Sequence, residues 1–220
     1  MNVQIPIYAH IFNRGVDKRT IFKSDRDRNR FMLTMRIALL EKGERVSFIL
    51  RKREKELLTS MKQKHLLSLY GPPLLEIISF CLMPNHFHIC VKAPRKENIT
   101  KFAQRLGNSY TLYFNKKYAR KGRLFESSYK TVPIKTDEQL IHLVRYIHTN
   151  PANSIKRALS ALQLKSYLWS SLPAYLKNSS EMCVIDQVLS FFKDTNDFWE
   201  FTKAGIKLKE EKLSNDLLID

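Results

Sequence analysis

The chain contains few of the residues that define fibrous, disordered or disulfide-framed proteins. Only 6 glycines and 8 prolines occur among 220 residues, which excludes collagen-like and low-complexity chains. The 3 cysteines, Cys81, Cys90 and Cys183, form no CxxC pair, so we expect buried, reduced thiols instead of disulfides or a zinc site. Because 44% of the residues are hydrophobic, the chain can fill the core of one domain, with or without an appendage.

Long apolar runs are missing as well. Unbroken runs such as Phe80-Cys81-Leu82-Met83 are far shorter than the roughly 20 residues that a membrane-spanning helix needs. The first residues, MNVQIPIYAH, show no basic region followed by an apolar one, so we expect no secretory signal. These features predict a cytoplasmic protein without a membrane partner.

Acidic residues are scarce relative to basic ones. The sequence has 21 Asp and Glu against 38 Lys and Arg, a formal net charge of +17. Such a charge favours a polyanionic partner, because neutralising phosphates releases counterions and this release drives binding. Nucleic acid is therefore the predicted partner, and the alternative is a solvated basic surface with no dedicated ligand.

Apolar periodicity and turn residues predict seven elements in the first two thirds of the chain. The first is a strand over 5–12 that ends at Asn13-Arg14-Gly15, and a helix from Ser24 to about Gly43 follows it. Strands over 76–82 and 86–93 are joined by a turn at Pro84-Asn85. After them come a helix over about 99–118, a strand or irregular edge over 123–134 that Pro133 ends, and a helix over 137–150 that Pro151 stops. The two adjacent strands predict an antiparallel hairpin.

Two further parts have a different character. The segment at about 44–75 is rich in Lys and Arg and is predicted to be a basic helical insertion, either a solvated face or a DNA contact. The residues after Pro151 predict two or three short helices. We therefore divide the chain into a domain over 1–153, which includes the insertion, and a helical C-terminal extension over 154–220.

Two histidines flank Phe87 on the second strand of the predicted hairpin. Because side chains alternate along a strand, His86 and His88 project from one face while Phe87 points to the other, into the core. Two imidazoles on one face can chelate a metal ion. Taken alone, such a pair on a strand is more often two surface or core histidines than a metal site.

Tyr146 and Asn150 lie four residues apart on the helix over 137–150, and so on one flank of it. That flank is about 110° from the centre of the apolar stripe, at 100° per residue. Tyr146 therefore borders the core without filling it. The alternative is an ordinary amphipathic residue at the rim.

Taken together, the segments MPNHFHICV and RYIHTNP, preceded by the Asn-Arg-Gly strand end, resemble the REP-associated tyrosine transposases. More widely, they resemble the single-tyrosine HUH transposases of bacterial single-strand insertion elements. The resemblance spans about residues 7–153. It implies an α+β fold with a ferredoxin-like, or RRM-like, antiparallel sheet of four or five strands and helices packed on one face.

The resemblance also implies roles for the motif residues. His86 and His88 would hold a divalent metal ion, Asn150 would complete the metal site, and Tyr146 would be the nucleophile. A glutamine fills the place of Asn150 in the insertion-element branch. An amide oxygen beside two imidazoles suits Mg²⁺ or Mn²⁺, whereas the imidazoles alone would also accept Zn²⁺, so the sequence leaves the metal open. The implied reaction is cleavage and rejoining of single-stranded DNA at hairpin-flanked sites through a covalent 5′-phosphotyrosine, without ATP.

The implied partner is single-stranded DNA that carries a REP-like hairpin, held by basic residues and aromatic stacking. The candidate basic residues are Arg14, Lys101, Arg105, Arg120, Lys121, Arg123 and Lys130. The sequence leaves open whether the protein is a monomer or a homodimer.

Two other hypotheses compete with the transposase. A non-catalytic module could hold structured nucleic acid without cutting it, and would need no metal. A metal-dependent hydrolase that activates a water molecule would leave Tyr146 dispensable.

Overall fold

The computed structural model describes residues 5–41, 72–154 and 159–207. The elements of the sheet domain are β1 (Ile7–Arg14), a single 3₁₀ turn (Val16–Lys18), α1 (Asp25–Ala38), β2 (Glu76–Met83), β3 (His86–Ala93), α2 (Lys96–Lys117), β4 (Lys130–Ile134) and α3 (Asp137–Ser154). They are followed by α4 (Ala161–Lys165), α5 (Leu172–Leu176), α6 (Asp186–Leu189) and α7 (Thr195–Lys207). The predicted order of strand, helix, hairpin, helix, edge strand and helix is confirmed.

The four strands form one sheet in the order β2-β3-β1-β4, and all neighbours are antiparallel. Combined with the β-α-β-β-α-β order along the chain, this is the ferredoxin-like arrangement, and the α+β class is confirmed. Strand β4 lies at an edge, where a proline is tolerated. Pro133 therefore does not end the strand: it pairs with Ala9, and the strand runs on to Ile134, the end of the predicted range. The strand begins at Lys130, so the predicted start at 123 is seven residues too early.

Helices cover both faces of the sheet, which corrects the expectation that they pack on one face. Phe87 of β3 packs against Phe31 of α1, with ring centroids 4.9 Å apart, and Tyr110 of α2 packs on the same Phe31 at 5.0 Å. The adjacent His88 points the opposite way and meets Tyr146 of α3 at 5.3 Å. The physical reason is that β2 is buried along nearly its whole length, so both of its faces need a cover.

Helix α3 does not stop at Pro151, as predicted, but continues to Ser154. A proline keeps a helical φ, but it lacks the N–H that would bond to the carbonyl of Ile147, four residues earlier, and its ring crowds that carbonyl. Helix α3 packs against β2, α4 and α7, and this packing outweighs the missing hydrogen bond. The last turn of α3 is relevant to the predicted metal site because Asn150 lies immediately before Pro151.

The core between the sheet and helices α1 and α2 is aromatic. Its largest fully buried side chains include Phe22, Phe31, Phe102, Tyr110 and Phe114. Cys81, Cys90 and Cys183 are buried and free, as predicted.

Some predicted features fall on other parts of the chain. Most of the basic segment at 44–75 lies in 42–71, outside the described residues, as do residues 155–158 and the end of the C-terminal extension after residue 207. Within 159–207 the extension is helical, and α7 packs back on α3. In the ranges that the structure describes, no helix is long and apolar enough to cross a membrane.

Candidate active site

The candidate site lies on the sheet face that α3 covers. In the register of β1 and β3, Phe12 lies opposite His88, and Arg14 lies opposite His86. Lys130 of β4 lies opposite Phe12 on the other side. Directly opposed residues of an antiparallel pair share a face. The two predicted metal ligands therefore share their face with two of the predicted DNA-binding cations.

Helix α3 places Asn150 against the histidine pair. The Nε2 atom of His86 lies 3.2 Å from Oδ1 of Asn150, and Nε2 of His88 lies 3.4 Å from Nδ2 of the same amide. All three side chains are buried. The structure thus brings the three predicted ligands together from two elements that are more than 60 residues apart in the sequence.

The other ring nitrogen of each histidine is held by a second residue. Nδ1 of His86 lies 2.7 Å from Oδ1 of Asn85, and Nδ1 of His88 lies 2.9 Å from Nε2 of His10. These contacts fix both rings so that the Nε2 atoms converge. Sequence reasoning missed Asn85 and His10.

Tyr146 lies one helical turn before Asn150, with its ring edge-on to His88 at a centroid distance of 5.3 Å. The ring of His10 is 6.4 Å away, again edge-on. Only 6% of the Tyr146 side chain surface is exposed. The predicted nucleophile is therefore next to the predicted metal ligands, and it is more deeply buried than its position at the border of the apolar stripe indicates.

Burial keeps His88 and His10 neutral. It lowers the pKa of His88 well below its ordinary value, and electrostatic repulsion between a protonated His88 and His10, His86 and Arg14 acts in the same direction. Burial alone lowers the pKa of His10 to about 3. Near pH 7 both rings are uncharged, which is the form in which an imidazole binds a metal ion.

The donor geometry fits a divalent cation. Neighbouring ligands of an octahedral ion with bonds of about 2.1 Å lie about 3 Å apart, close to the 3.2 Å between Oδ1 of Asn150 and Nε2 of His86. Among the described residues there is no group of three or more His, Cys, Asp or Glu that could hold a metal. Two imidazoles and one amide oxygen would leave coordination positions open for a substrate; the amide oxygen suits Mg²⁺ or Mn²⁺, and the imidazoles also accept Zn²⁺.

A small cleft of about 60 Å³ opens beside the histidine pair. Its lining includes Arg14, Glu126 and Lys130 as well as both histidines. Nζ of Lys130 is 4.0 Å from a carboxylate oxygen of Glu126, a loose ion pair at a half-exposed place. Two of the seven predicted DNA-binding cations are therefore positioned beside the candidate metal ligands.

Two other predicted cations have structural contacts instead. Nη1 of Arg105 donates to the carbonyl oxygen of Leu40 at 2.6 Å, which secures the chain after α1. Nη1 of Arg120 donates to Oδ1 of Asn115 at 2.8 Å, which secures the turn after α2. We leave both guanidinium groups out of the proposed DNA-binding set.

The remaining three, Lys101, Lys121 and Arg123, are exposed, although Nη2 of Arg123 also donates to the carbonyl oxygen of Glu126 at 2.6 Å. Arg123 lines a groove of about 710 Å³ between α2 and the segment before β4. The walls of this groove are mainly polar side chains, namely Gln104, Asn108, Thr111, Ser127 and Ser128.

The fold and the site together define a class of protein. A ferredoxin-like sheet carries two histidines, and a helix that packs on the sheet places a tyrosine and an amide side chain beside them. Residues 46–150 match the family of IS200-like transposases. The matched segment contains all four of these site residues and begins inside the predicted insertion at 44–75. This match agrees with the resemblance that the two motifs predict.

One comparison with solved structures concerns a chain described as the "Structure of the REP associates tyrosine transposase bound to a REP hairpin". The alignment covers 80% of the present chain and 81% of that chain, with 12% sequence identity and a TM-score of 0.45. No protein with a curated description matches the sequence.

Proposed function

We propose that this protein is a metal-dependent transposase that cuts and rejoins single-stranded DNA at hairpin-flanked sites, with Tyr146 as the nucleophile. One observation carries the proposal: the Nε2 atoms of His86 and His88 converge on the amide of Asn150, one helical turn from Tyr146. The similarity of residues 46–150 to IS200-like transposases supports it.

In the proposed reaction, the phenolic oxygen of Tyr146 attacks the scissile phosphorus in line with the leaving group. A bond from the tyrosine oxygen to phosphorus forms, the bond from phosphorus to the 3′ oxygen breaks, and the 3′ oxygen leaves with a proton as a hydroxyl. The tyrosine gives up its own proton. The energy of the broken ester stays in the 5′-phosphotyrosine, so the 3′-hydroxyl of another strand can reverse the step without ATP.

Each site residue has a defined part in this proposal. His86, His88 and Asn150 hold the divalent ion, Mg²⁺ or Mn²⁺. When bound, such an ion withdraws charge from the scissile phosphate and favours the anionic form of a nearby hydroxyl, and a tyrosine hydroxyl otherwise titrates near 10. Arg14 and Lys130, beside the pair in the small cleft, bind the flanking phosphates. Their charges also draw the strand towards Tyr146.

Further from the pair, the groove beside α2 continues the DNA path in this proposal. Its amide and hydroxyl side chains can bond to bases or sugars, and Arg123 supplies a charge. Lys101 and Lys121 are exposed and would add phosphate contacts. The expected substrate is single-stranded DNA with a hairpin, such as the flanks of the gene for this protein can supply.

The test is a denaturing gel of the full chain mixed with labelled hairpin DNA from those flanks, in Mg²⁺ or Mn²⁺. Wild-type protein should give a protein–DNA band that disappears with chelator and in Tyr146→Phe. The matched control is Tyr8→Phe, which removes the hydroxyl of a tyrosine on β1 that bonds to Gln187, and it should keep the band.

Two results would overturn the proposal. Cleavage that persists in Tyr146→Phe would identify a nuclease that activates a water molecule. Binding of several hairpins without any cleavage, under conditions where the chain is folded, would identify a recognition module.

A further inference from the structure

His10 of β1 contacts His88, one of the candidate metal ligands, at the ring nitrogen that does not face Asn150. Its Nε2 atom lies 2.9 Å from Nδ1 of His88, and the two rings are stacked with centroids 5.1 Å apart and planes 24° apart. The His10 ring also stacks on Phe12 at 4.7 Å. With 1% of its surface exposed, the ring is packed tightly in place.

A neutral imidazole carries one proton, and the position of this proton decides whether His88 can bind a metal ion. Nε2 of His88, which faces Asn150, has a free lone pair only when the proton is on Nδ1. A partner that accepts the Nδ1 proton stabilises this tautomer and raises the basicity of the ligating nitrogen. In the described part of the chain, the partner at hydrogen-bond distance from Nδ1 is Nε2 of His10.

We infer that His10 is a positioning residue for the metal site: it accepts the Nδ1 proton of His88 and so presents Nε2 of His88 to the divalent ion. The inference rests on the proposed function, because it assumes that His88 binds an ion. It assigns a role to a residue outside the matched segment 46–150.

The contact between His10 and His88 also decides which of the two rings carries an N–H without an acceptor: it is His10 and not the metal ligand His88. When His88 donates to Nε2 of His10, the proton of His10 is on Nδ1, a buried nitrogen with no hydrogen-bond partner among the described residues. Without His10, the unpartnered N–H would be on the ligand itself, whose N–H becomes more acidic and more in need of an acceptor when the ion binds. A ring at position 10 that has no hydrogen-bond acceptor should therefore weaken binding of the divalent ion at His88.

The test measures Mn²⁺ affinity of the full-length, metal-free protein from the free Mn²⁺ signal in electron paramagnetic resonance. His10→Phe keeps a flat ring but removes the acceptor, and should weaken Mn²⁺ binding about 10- to 100-fold. His10→Gln provides an amide oxygen that can accept the proton, and should restore part of the affinity. In a His88→Ala background, His10→Phe should change the remaining affinity by much less, because the residue through which it acts is gone.

A second measurement does not depend on any variant at position 10. Long-range ¹H–¹⁵N correlation spectra of the wild-type protein with Mg²⁺ should show His88 protonated at Nδ1 and unprotonated at Nε2. The opposite tautomer, or equal Mn²⁺ affinity of folded His10→Phe and wild type, would overturn the inference about His10 alone. Wild-type protein that binds no Mn²⁺ would overturn the proposed metal site and this inference with it.

Discussion

Asp27 shows how a single buried carboxylate joins two helices. It is the third residue of α1, and its side chain accepts hydrogen bonds from Lys117 Nζ at 2.6 Å, Tyr118 at 2.7 Å and Tyr113 at 2.9 Å, all from α2 or its end. Burial raises the pKa of Asp27, but the bonds from Lys117, Tyr118 and Tyr113 outweigh it, so that the pKa is lowered overall.

Replacing Asp27 with Asn should destabilise the protein by about 2 kcal/mol, because several hydrogen bonds to a charged acceptor are lost. The measurement is urea unfolding at neutral pH. Asp25→Asn is the control, because Asp25 is exposed and pairs with Arg28 at the surface, and it should change stability by less than about 0.5 kcal/mol. Equal effects of the two variants would contradict the account of this cluster.

The same carboxylate predicts a dependence on pH. Because the pKa of Asp27 is lowered in the folded state, its stabilising contribution is complete above the ordinary carboxyl pKa, near 4, and is lost as the pH falls through the lower folded value. Between neutral and acidic pH, wild-type stability should therefore fall more steeply than that of Asp27→Asn.

At the scale of single residues, the sequence predicts chemistry that follows from local spacing. His86 and His88 are two apart on a strand, and Tyr146 and Asn150 are four apart on a helix, so each pair shares a face without any tertiary information. The contact of His10 with His88 spans 78 residues. It depends on the pairing of β1 with β3, which no local pattern encodes, although the alternation of His10, Phe12 and Arg14 indicates a shared face.

At the scale of elements, the loop after β1 fixes the turn that immediately precedes the histidine pair. The backbone N–H of Gly15 donates to the carbonyl of Asn85 at 2.9 Å, directly before His86. A Cβ on Gly15 would overlap the carbonyl oxygen of Arg19 and lie 2.8 Å from Cγ2 of Ile21. Since the first of these atoms belongs to the backbone, the loop would have to move.

Gly15→Ala should therefore cost about 1–3 kcal/mol, as overpacking does. Gly107→Ala provides the matched comparison, because a Cβ at this place in α2 would meet only Ser128 O at 3.7 Å, and an alanine in a helix is favoured over glycine by up to about 1 kcal/mol. Thermal unfolding should show Tm falling for the first variant and rising for the second. The opposite order would contradict the close approach at Gly15.

Element order was predictable from the sequence, whereas the ends of elements were less so. Strand β3 and most of α1 and α2 lie where apolar periodicity places them. The ends at Pro133 and Pro151 were not predictable from the residue type alone, because an edge strand tolerates a proline and tertiary packing carries α3 past one. The sequence does contain an indication that helices cover both faces of the sheet. The continuous apolar run Phe80-Cys81-Leu82-Met83 is typical of a strand that is buried on both sides.

At the scale of the whole molecule, the net charge of +17 predicts that the DNA-binding constant falls steeply as the salt concentration rises. For single strands, the logarithm of the binding constant falls with that of salt concentration by about 0.7 per neutralised phosphate. Arg14→Gln with Lys130→Gln should lower this slope by about 1 to 1.5, measured with labelled single-stranded DNA.

Lys177→Gln with Lys193→Gln provides the control for this experiment. It removes the same charge from two exposed lysines of the C-terminal helical part, and its slope should stay near that of wild type. If both double variants lower the slope equally, the DNA responds to the total charge, and the cleft beside His86 and His88 is not its path.

The central claim is that a covalent bond forms between Tyr146 and the 5′ phosphate of cleaved DNA. The most direct measurement is mass spectrometry of the adduct after digestion with protease and nuclease. The account predicts that the peptide containing Tyr146 gains the mass of a 5′-linked nucleotide remnant on the tyrosine, and only when Mg²⁺ or Mn²⁺ was present. A remnant on another side chain, or cleaved DNA with no protein attached, would contradict it.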